Sequence, residues 1–178
     1  MDTTRNFTKV TVRNPVTHDQ EETGKYTSYE ILLETSSIAF THPSSVVRRR
    51  YREFDWLKKQ LKMNHPFHSP PSLPPKKWDK FEPHCIVDRC RGLEQFLKEC
   101  CSQTVYLSDS LFHLFLQSSL STNEMMQVVY GKGNDRNVLE EILHSGCAFD
   151  NSHSGNPGTS SSINTECEVI VHREEDAT

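Results

Sequence analysis

A chain of 178 residues is long enough for one folded domain with a tail. Only 34 % of its residues are hydrophobic, which is low for a fully globular chain and predicts that part of it stays unfolded. The sequence has no apolar run of about 18 residues and no apolar core in residues 1–10. These absences exclude a transmembrane helix and predict a cytoplasmic protein without a signal peptide.

The charge of the chain is unevenly distributed along the sequence. Its net charge is −4, yet twelve of the 20 Lys and Arg residues lie between positions 44 and 91, beside only five acidic residues. Such a local positive field indicates an anionic partner: a lipid surface, a nucleic acid or an acidic protein. Residues 147–178 are acidic and rich in Ser and Gly, which predicts a disordered tail.

Three strands are predicted in the first 47 residues. Phe7–Arg13 alternates polar and apolar side chains, as a half-buried strand does, and Tyr26–Thr35 is the second strand. The polar segment Asn14–Lys25 between them is typical of a turn region. The third strand is Ile38–Val47, interrupted at Pro43, which cannot donate a ladder hydrogen bond. Short connections predict an antiparallel sheet, which needs a covering layer of helices.

Two amphipathic helices are predicted on either side of a proline-rich arm. The first runs from about Arg50 to Met63. Its buried face is formed by Phe54, Leu57 and Leu61. The arm, Pro66–His84, holds too many prolines to be helical and is typical of an extended polyproline-type segment. The second helix, Ile86–Cys101, carries a continuous apolar stripe.

A short buried helix is predicted beyond the second amphipathic helix. Leu111–Leu116 is apolar nearly all round, so it should have no solvated face. Ser108 or Asp109 precedes it at the position of a helix cap, because either side chain can accept hydrogen bonds from the first free backbone N–H groups.

Two further helices are predicted before the tail. Ser121 with Glu124 forms a capping box that opens a helix through Val129. The last helix, Arg136–Ser145, would be capped by Asn134 or Asp135 and ended by Gly146. The expected fold is thus α+β: a three-stranded antiparallel sheet packed against a helical subdomain in residues 1–120. Two extra helices in residues 121–146 pack on it, and the tail follows.

The cysteines give no sign of a disulfide framework. Six are present without a CxxC pair, and a reducing compartment makes disulfides unfavourable, so most of them are expected to be small core residues. We expect no cofactor and no metal. The one alternative is a zinc site made of His84, Cys85 and Cys90, which metal analysis would reveal.

Three separated basic residues are candidates for a single anion-binding pocket. Arg50 lies at a strand-to-helix junction, where free backbone N–H groups and the helix dipole favour anions. Lys76 ends the proline arm, and Arg89 is early in the long helix. Tyr51 could place its ring against a sugar-like face. A flat ring below a polyol with phosphates on its rim suits an inositol phospholipid headgroup.

Three motifs in order carry a family resemblance over roughly residues 7–120. RRYREF at 49–54 follows the three predicted strands, LPPK at 73–76 ends the arm, and RxxGLEQF lies at 89–96. This arrangement closely resembles the phox-homology (PX) domain of the sorting nexins. The extra helices make the chain most similar to the subgroup of short sorting nexins numbered ten and eleven, whose PX domain is extended by two helices.

The resemblance implies a phosphoinositide-binding module, most often for phosphatidylinositol 3-phosphate on early endosomes. By position, Arg50 would bind the 3-phosphate and Tyr51 would pack against the inositol ring. Lys76 would meet the 1-phosphate, and Arg89 would bind the 4- and 5-hydroxyls. The resemblance thus implies an endosomal trafficking adaptor on the cytoplasmic face of the membrane. We expect a monomer with trafficking partners that the sequence does not identify.

The end of the proline arm is a candidate membrane-insertion loop. Trp78 and Phe81, with Phe67 before them, are bulky apolar residues among Lys76, Lys77 and Lys80. Apolar side chains that enter the interface, with cations contributing about 1 kcal/mol each, would form a second anchor. The alternative is that Trp78 and Phe81 fold back on the core as a lid.

Other functions are less consistent with the sequence. Nucleic-acid binding is disfavoured because the chain outside residues 44–91 is acidic. No Gly-rich nucleotide loop or nucleophile elbow is present, so we expect no enzyme. Arg48, Arg49 and Arg52 are expected to supply surface potential or ion pairs. Two interaction roles stay open, a scaffold that uses the extra helices or the tail, and an SH3 ligand at the PxxP motif 71–74.

Overall fold

An antiparallel sheet of three long strands forms one layer of the molecule. The computed structural model describes residues 7–131 and 137–144, and the backbone of residues 170–171. Strand β1 spans Thr8–Gln20, β2 spans Gly24–Thr35 and β3 spans Ser44–Arg50, with β2 in the centre. Each strand pairs with its neighbour in antiparallel register.

Six helices account for most of the remaining described residues, and none of these helices is long and apolar enough to cross a bilayer. Their bounds are α1 Tyr51–Asn64, α2 Pro83–Cys101, α3 Thr104–Leu107, α4 Ser110–Gln117, α5 Thr122–Tyr130 and α6 Val138–His144. The predicted α+β class, with its antiparallel sheet and helical layer, is confirmed.

The core lies between the sheet and the helices. Tyr29, Ile31 and Leu33 alternate along β2 and are fully buried, as the two-residue period of a strand requires. Phe54 of α1 packs edge-on against the Phe115 ring of α4, with the ring centroids 5.2 Å apart. The predicted α1 face of Phe54, Leu57 and Leu61 is fully buried, and it anchors the helix that starts at the candidate site.

Strands β1 and β3 both differ from the prediction. β1 does not end at Arg13, because a bulge between Arg13 and Val16 takes up the Asn14–Pro15 dipeptide and pairing then resumes as far as Gln20. Asn14 has a positive φ of 47° there. Conversely, β3 begins only at Ser44, and residues before it form turns. Pro43 lies outside the strand, where its carbonyl accepts from the backbone of Thr35 at 2.8 Å.

The predicted helix caps are present where the chain is described. Asp109 caps α4 through bonds of 2.9 and 3.2 Å from the N–H groups of the next helical residues. Ser121 and Glu124 form the capping box of α5. The proposed caps Asn134 and Asp135 lie outside the described residues. Prediction missed α3, a single turn of four residues.

The two helices beyond α4 contact the rest of the domain. Met125 of α5 and Ile142 of α6 are buried in the common core. Tyr130 at the end of α5 donates a 2.9 Å hydrogen bond to Asn64 at the end of α1. In the tail, Ile170–Val171 forms a two-residue strand β4 that pairs in parallel with β1, so these two residues differ from the expected disorder. The other tail residues lie outside the described part.

Candidate functional site

Arg50 is positioned by the junction between β3 and α1. It is the last residue of β3, and α1 begins at Tyr51. Its backbone N–H donates to the Glu53 carboxylate at 2.7 Å, which stabilises the first turn of the helix. The Arg50 guanidinium lies 5.2 Å from the centroid of the Tyr26 ring on β2. A strand end, a helix start and an aromatic ring thus hold this cation in place.

Tyr51 and Arg89 form a stacked pair beside Arg50. The guanidinium carbon of Arg89 lies 4.8 Å from the centroid of the Tyr51 ring, a cation–π geometry. Arg89 is only 8 % exposed, and its Nε is buried without a hydrogen-bond partner among the described residues. Burial raises the pKa of Tyr51, whereas the positive charge of Arg89 opposes that shift. Arg89 thus contributes a nearly buried positive charge to the wall beside Arg50.

The proline arm is attached to the helical layer at Pro74. The Tyr51 hydroxyl donates to the Pro74 carbonyl at 2.6 Å. The Pro74 ring lies so close to Gly92 of α2 that an added Cβ on Gly92 would lie 2.8 Å from the Pro74 Cβ. Because Pro74 is engaged from both sides, the PxxP motif is part of the domain and poorly suited to be an SH3 ligand.

Lys76 follows this attachment and lies at the rim of the site. Its side chain is 72 % exposed, and its Nζ lies 3.5 Å from the Asp55 carboxylate of α1. A hydrogen bond from Lys59, together with the charge of Lys76, lowers the pKa of Asp55. An exposed ion pair of this kind is weak, so a ligand phosphate can compete for the Lys76 ammonium.

These side chains line one pocket of about 410 Å³. It contains all four predicted ligand-binding residues, Arg50, Tyr51, Lys76 and Arg89. Its other lining residues are Thr23, Lys25, Tyr26, Thr27, Arg52, Lys77, Lys80 and Phe81. Seven of the lining residues are cationic and none is acidic, so the pocket has a strong positive potential.

Part of this wall was missed by sequence reasoning. Lys25 and Tyr26 follow Gly24, the first residue of β2, which adopts a φ of +69° at the tight turn. The sequence predicts a polar connection at Lys25 and an ordinary strand start at Tyr26. The pairing register would have placed both residues near the site. Ser28 on β2 lies opposite Arg50 on β3, and the residues of β2 before Ser28 extend towards the pocket.

The two predicted insertion residues lie in different environments. Trp78 is fully exposed, with a relative accessibility of 105 %. Phe81 is half-buried and lines the pocket, where the ammonium groups of Lys25 and Lys80 lie 4.9 and 5.0 Å from its ring centroid. The lid alternative is therefore wrong for Trp78, and Phe81 turns towards the pocket. Phe67 is also almost fully exposed.

The three remaining arginines of this stretch serve different roles. Arg48 donates to the Asn14 carbonyl at 2.7 Å and pairs with Glu30 at 3.8 Å, as expected of an ion-pairing residue. Arg52 is exposed and lines the pocket. Arg49 is 3 % exposed, so it supplies no surface potential, but it forms an ion pair as expected, with the Glu53 carboxylate at 3.7 Å. Its guanidinium donates to several carbonyl oxygens at and beyond the end of α4, those of Leu114, Phe115, Ser118 and Leu120.

Comparison with known proteins identifies the family of this chain. The family model described as PX domain matches residues 38–119. Sorting nexin-11 of Mus musculus is 43 % identical over 129 residues, which are 70 % of this chain and 46 % of that protein. Sorting nexin-10A of Danio rerio is 44 % identical over 126 residues, 68 % of this chain and 54 % of that protein. The matched part thus spans about half the length of these two relatives.

A shorter relative is matched over more of its length. Sorting nexin-10 of Homo sapiens is 37 % identical over 140 residues, which are 78 % of this chain and 69 % of that protein. Among solved structures, a designed CISK-PX domain superposes with a TM-score of 0.52 at 30 % identity. That superposition covers 62 % of this chain and 99 % of the designed domain.

Proposed function

The chain belongs to the PX-domain sorting nexins, and on that premise we propose that it is a phosphoinositide-binding adaptor of endosomal trafficking. The observation that carries this proposal is the pocket itself, in which seven cations converge without an acidic lining residue. A phosphorylated polyol supplies the complementary charge. Its phosphates can accept charge-assisted hydrogen bonds from guanidinium and ammonium groups.

The position of each cation supports an assignment of roles within the headgroup. Arg50 lies beside the N-terminus of α1, where the helix dipole adds to its attraction for a phosphate, and we assign it the 3-phosphate. The 1-phosphate joins the headgroup to the lipid, so it must face the bilayer. Lys76 is one of the exposed cations at the rim, two residues before the fully exposed Trp78, and it is assigned the 1-phosphate.

Arg89 and Tyr51 are assigned to the uncharged part of the headgroup. Arg89 lines the pocket from its buried side and stacks on the Tyr51 ring. A guanidinium carries five N–H donors, so Arg89 can donate to a ring hydroxyl of the ligand at position 4 or 5. The Tyr51 ring, fixed by its hydroxyl to Pro74, provides a rigid surface for the inositol ring.

A second anchor is proposed at the mouth of the pocket. Trp78 is fully exposed and lies among Lys76, Lys77 and Lys80, all of which are exposed as well. Tryptophan prefers the membrane interface, and each nearby cation adds about 1 kcal/mol of attraction to an anionic leaflet. Headgroup capture and interfacial insertion would together place the protein on the cytoplasmic face of endosomal membranes.

Sedimentation with liposomes tests this function directly. Vesicles of neutral lipid should be compared with vesicles that carry each of the phosphoinositides in turn, at constant total charge. We expect the strongest binding to phosphatidylinositol 3-phosphate and a loss of at least about tenfold for Arg50→Ala. Lys9→Ala is the matched control, since Lys9 pairs with Glu34 at the other end of the sheet. Equal binding by wild type and Arg50→Ala would overturn the pocket assignment.

A further inference from the structure

A second chemical site lies at the start of α2, outside the wall of the pocket. Among the described residues, Asp79, His84 and Cys85 each offer one potential ligand atom, and the three atoms lie within 4.8 Å of one another. The Nε2 of His84 lies 3.2 Å from the Sγ of Cys85. The same nitrogen lies 3.8 Å from a carboxylate oxygen of Asp79.

The backbone arrangement explains why residues five and six positions apart meet here. The N–H of Glu82 donates to the Asp79 carbonyl at 3.0 Å and closes a turn over residues 79–82. Pro83 then starts α2 at its first position, where proline is favoured. The turn therefore brings Asp79 back against the first turn of the helix, which carries His84 and Cys85.

The donor set and its spacing match one metal in particular. Bond lengths of about 2.0–2.3 Å and tetrahedral angles place neighbouring ligand atoms of zinc about 3.3–3.8 Å apart. The separation of 3.2 Å between His84 and Cys85 lies just below that range, and the separation of 3.8 Å between His84 and Asp79 lies at its upper end. A thiolate with an imidazole favours zinc, whereas magnesium and calcium prefer oxygen ligands alone.

We propose that Asp79, His84 and Cys85 form a Zn²⁺-binding site, with water as the fourth ligand. On binding, the Cys85 S–H bond breaks, a Zn–S bond forms and the proton passes to solvent. The exposed Asp79 and His84 give the ion a path from bulk water, while Cys85 lies at the buried side. Cys90 is not a ligand, because its Sγ donates to the Val12 carbonyl at 3.0 Å.

Zinc at this site would restrict the motion of part of the pocket wall. Lys80 and Phe81, which both line the pocket, lie between the ligands Asp79 and His84 in the sequence. A metal that ties Asp79 to the start of α2 closes this short segment into a ring and restricts its motion. This consequence for the pocket rests on the proposed function, whereas the metal site itself does not.

Metal titration without lipid tests the site. We expect the full chain, freed of metal with a chelator, to bind one Zn²⁺ at this site and to ignore millimolar Mg²⁺. Cys85→Ser and His84→Gln should each weaken that binding by at least about tenfold, the lower end of what losing a ligand or its support costs. Cys101→Ser is the matched control, because Cys101 lies at the opposite end of α2, and it should bind as the wild type does.

Two spectroscopic measurements make the outcome independent of the folding of any one variant. With Co²⁺ in place of Zn²⁺, a sulfur-to-cobalt charge-transfer band should appear in the wild type and in Cys101→Ser and be absent from Cys85→Ser. Hydrogen exchange of the amides in residues 79–85 should slow when Zn²⁺ is added. No Zn²⁺ binding, binding that Cys85→Ser and His84→Gln leave intact, or unchanged exchange in residues 79–85 would each overturn the proposal. None of these results depends on lipid.

Discussion

The guanidinium of Arg49 donates a 2.6 Å hydrogen bond to the carbonyl oxygen of Ser118, 69 residues further along the chain. It also donates to the Leu120 carbonyl at 2.7 Å. Its neighbour Arg50 lines the pocket instead, because successive strand residues point to opposite faces of a sheet. The end of β3 therefore supplies two cations: Arg49 lies in the core and Arg50 lies in the ligand site.

Arg49 should be a stability residue with no direct part in binding. In Arg49→Ala, the carbonyl oxygens at the end of α4 lose a charged donor while they remain buried. We expect the free energy of unfolding in urea to fall by roughly 2–5 kcal/mol. Arg52→Ala removes an exposed arginine from the same stretch and should change the free energy of unfolding by less than about 0.5 kcal/mol. Equal stabilities of the two variants would contradict the assigned role of Arg49.

The run of arginines also shows what sequence alone can predict. Motifs placed Arg50, Tyr51, Lys76 and Arg89 in one pocket, since local signals mark a strand end, a proline arm and a helix start. The role of Arg49 depends on carbonyl groups 65–71 residues away. No local pattern could reveal those partners, because a buried arginine and a surface arginine look alike in a basic stretch.

The second half of β1 was hidden for a different reason. Polar side chains and a proline at Asn14–Pro15 are typical of a turn, and the bulge that absorbs them depends on pairing with β2. Missing this strand also meant missing the tight hairpin at Gly24 and therefore the contribution of Lys25 and Tyr26 to the pocket. Tertiary pairing overrode local preference here.

Alanine substitutions of Trp78 and Phe81 should have different effects on binding to membranes and to the soluble headgroup. Trp78→Ala removes a fully exposed side chain, so it should weaken binding to liposomes severalfold and leave binding to a soluble inositol 1,3-bisphosphate headgroup unchanged. Phe81→Ala removes part of the pocket wall beneath Lys25 and should weaken both. Calorimetry with the soluble headgroup, beside liposome sedimentation, makes the comparison. Loss of soluble-headgroup binding in Trp78→Ala would argue against an interfacial role.

Gly92→Ala tests how tightly the proline arm is held on α2. Inside a helix, alanine in place of glycine is usually stabilising by about 1 kcal/mol. Here the new Cβ would lie 2.8 Å from the Cβ of Pro74, whose rigid ring has little freedom to move aside. We expect the steric clash to outweigh the gain in helix propensity, so that stability falls by about 1–3 kcal/mol. Headgroup binding should also weaken, because Lys76 shifts with the arm.

The control for this substitution is Gln95→Ala on the exposed face of the same helix. Alanine improves helix propensity slightly without touching the arm, and it removes only an exposed hydrogen bond from Gln95 to Glu99, so the stability of Gln95→Ala should stay within about 0.5 kcal/mol of that of the wild type. Thermal unfolding and headgroup calorimetry provide the two readouts. A stabilised Gly92→Ala variant with normal binding would show that the arm is not held against α2 as the structure indicates.

Ionisation of the buried Tyr29 phenol should destabilise the folded protein at alkaline pH. Burial raises the pKa of its phenol from 10.0 to about 12, with the charge of Arg89 opposing the shift. The folded protein therefore keeps the proton at pH values where the unfolded chain has released it. This contribution is complete below pH 10 and is lost as the pH rises towards 12, because ionisation then favours the unfolded state.

Tyr29→Phe isolates this effect from all other groups that titrate in the same range. The hydroxyl of Tyr29 is buried and makes no hydrogen bond of good geometry among the described residues, although Arg89 lies close to it, so its removal should change stability little at pH 7. Between pH 10 and 12 the wild type should lose about 1–3 kcal/mol more than Tyr29→Phe. Urea unfolding at a series of pH values measures the difference. Parallel curves would show that the phenol ionises equally well in the folded and unfolded states.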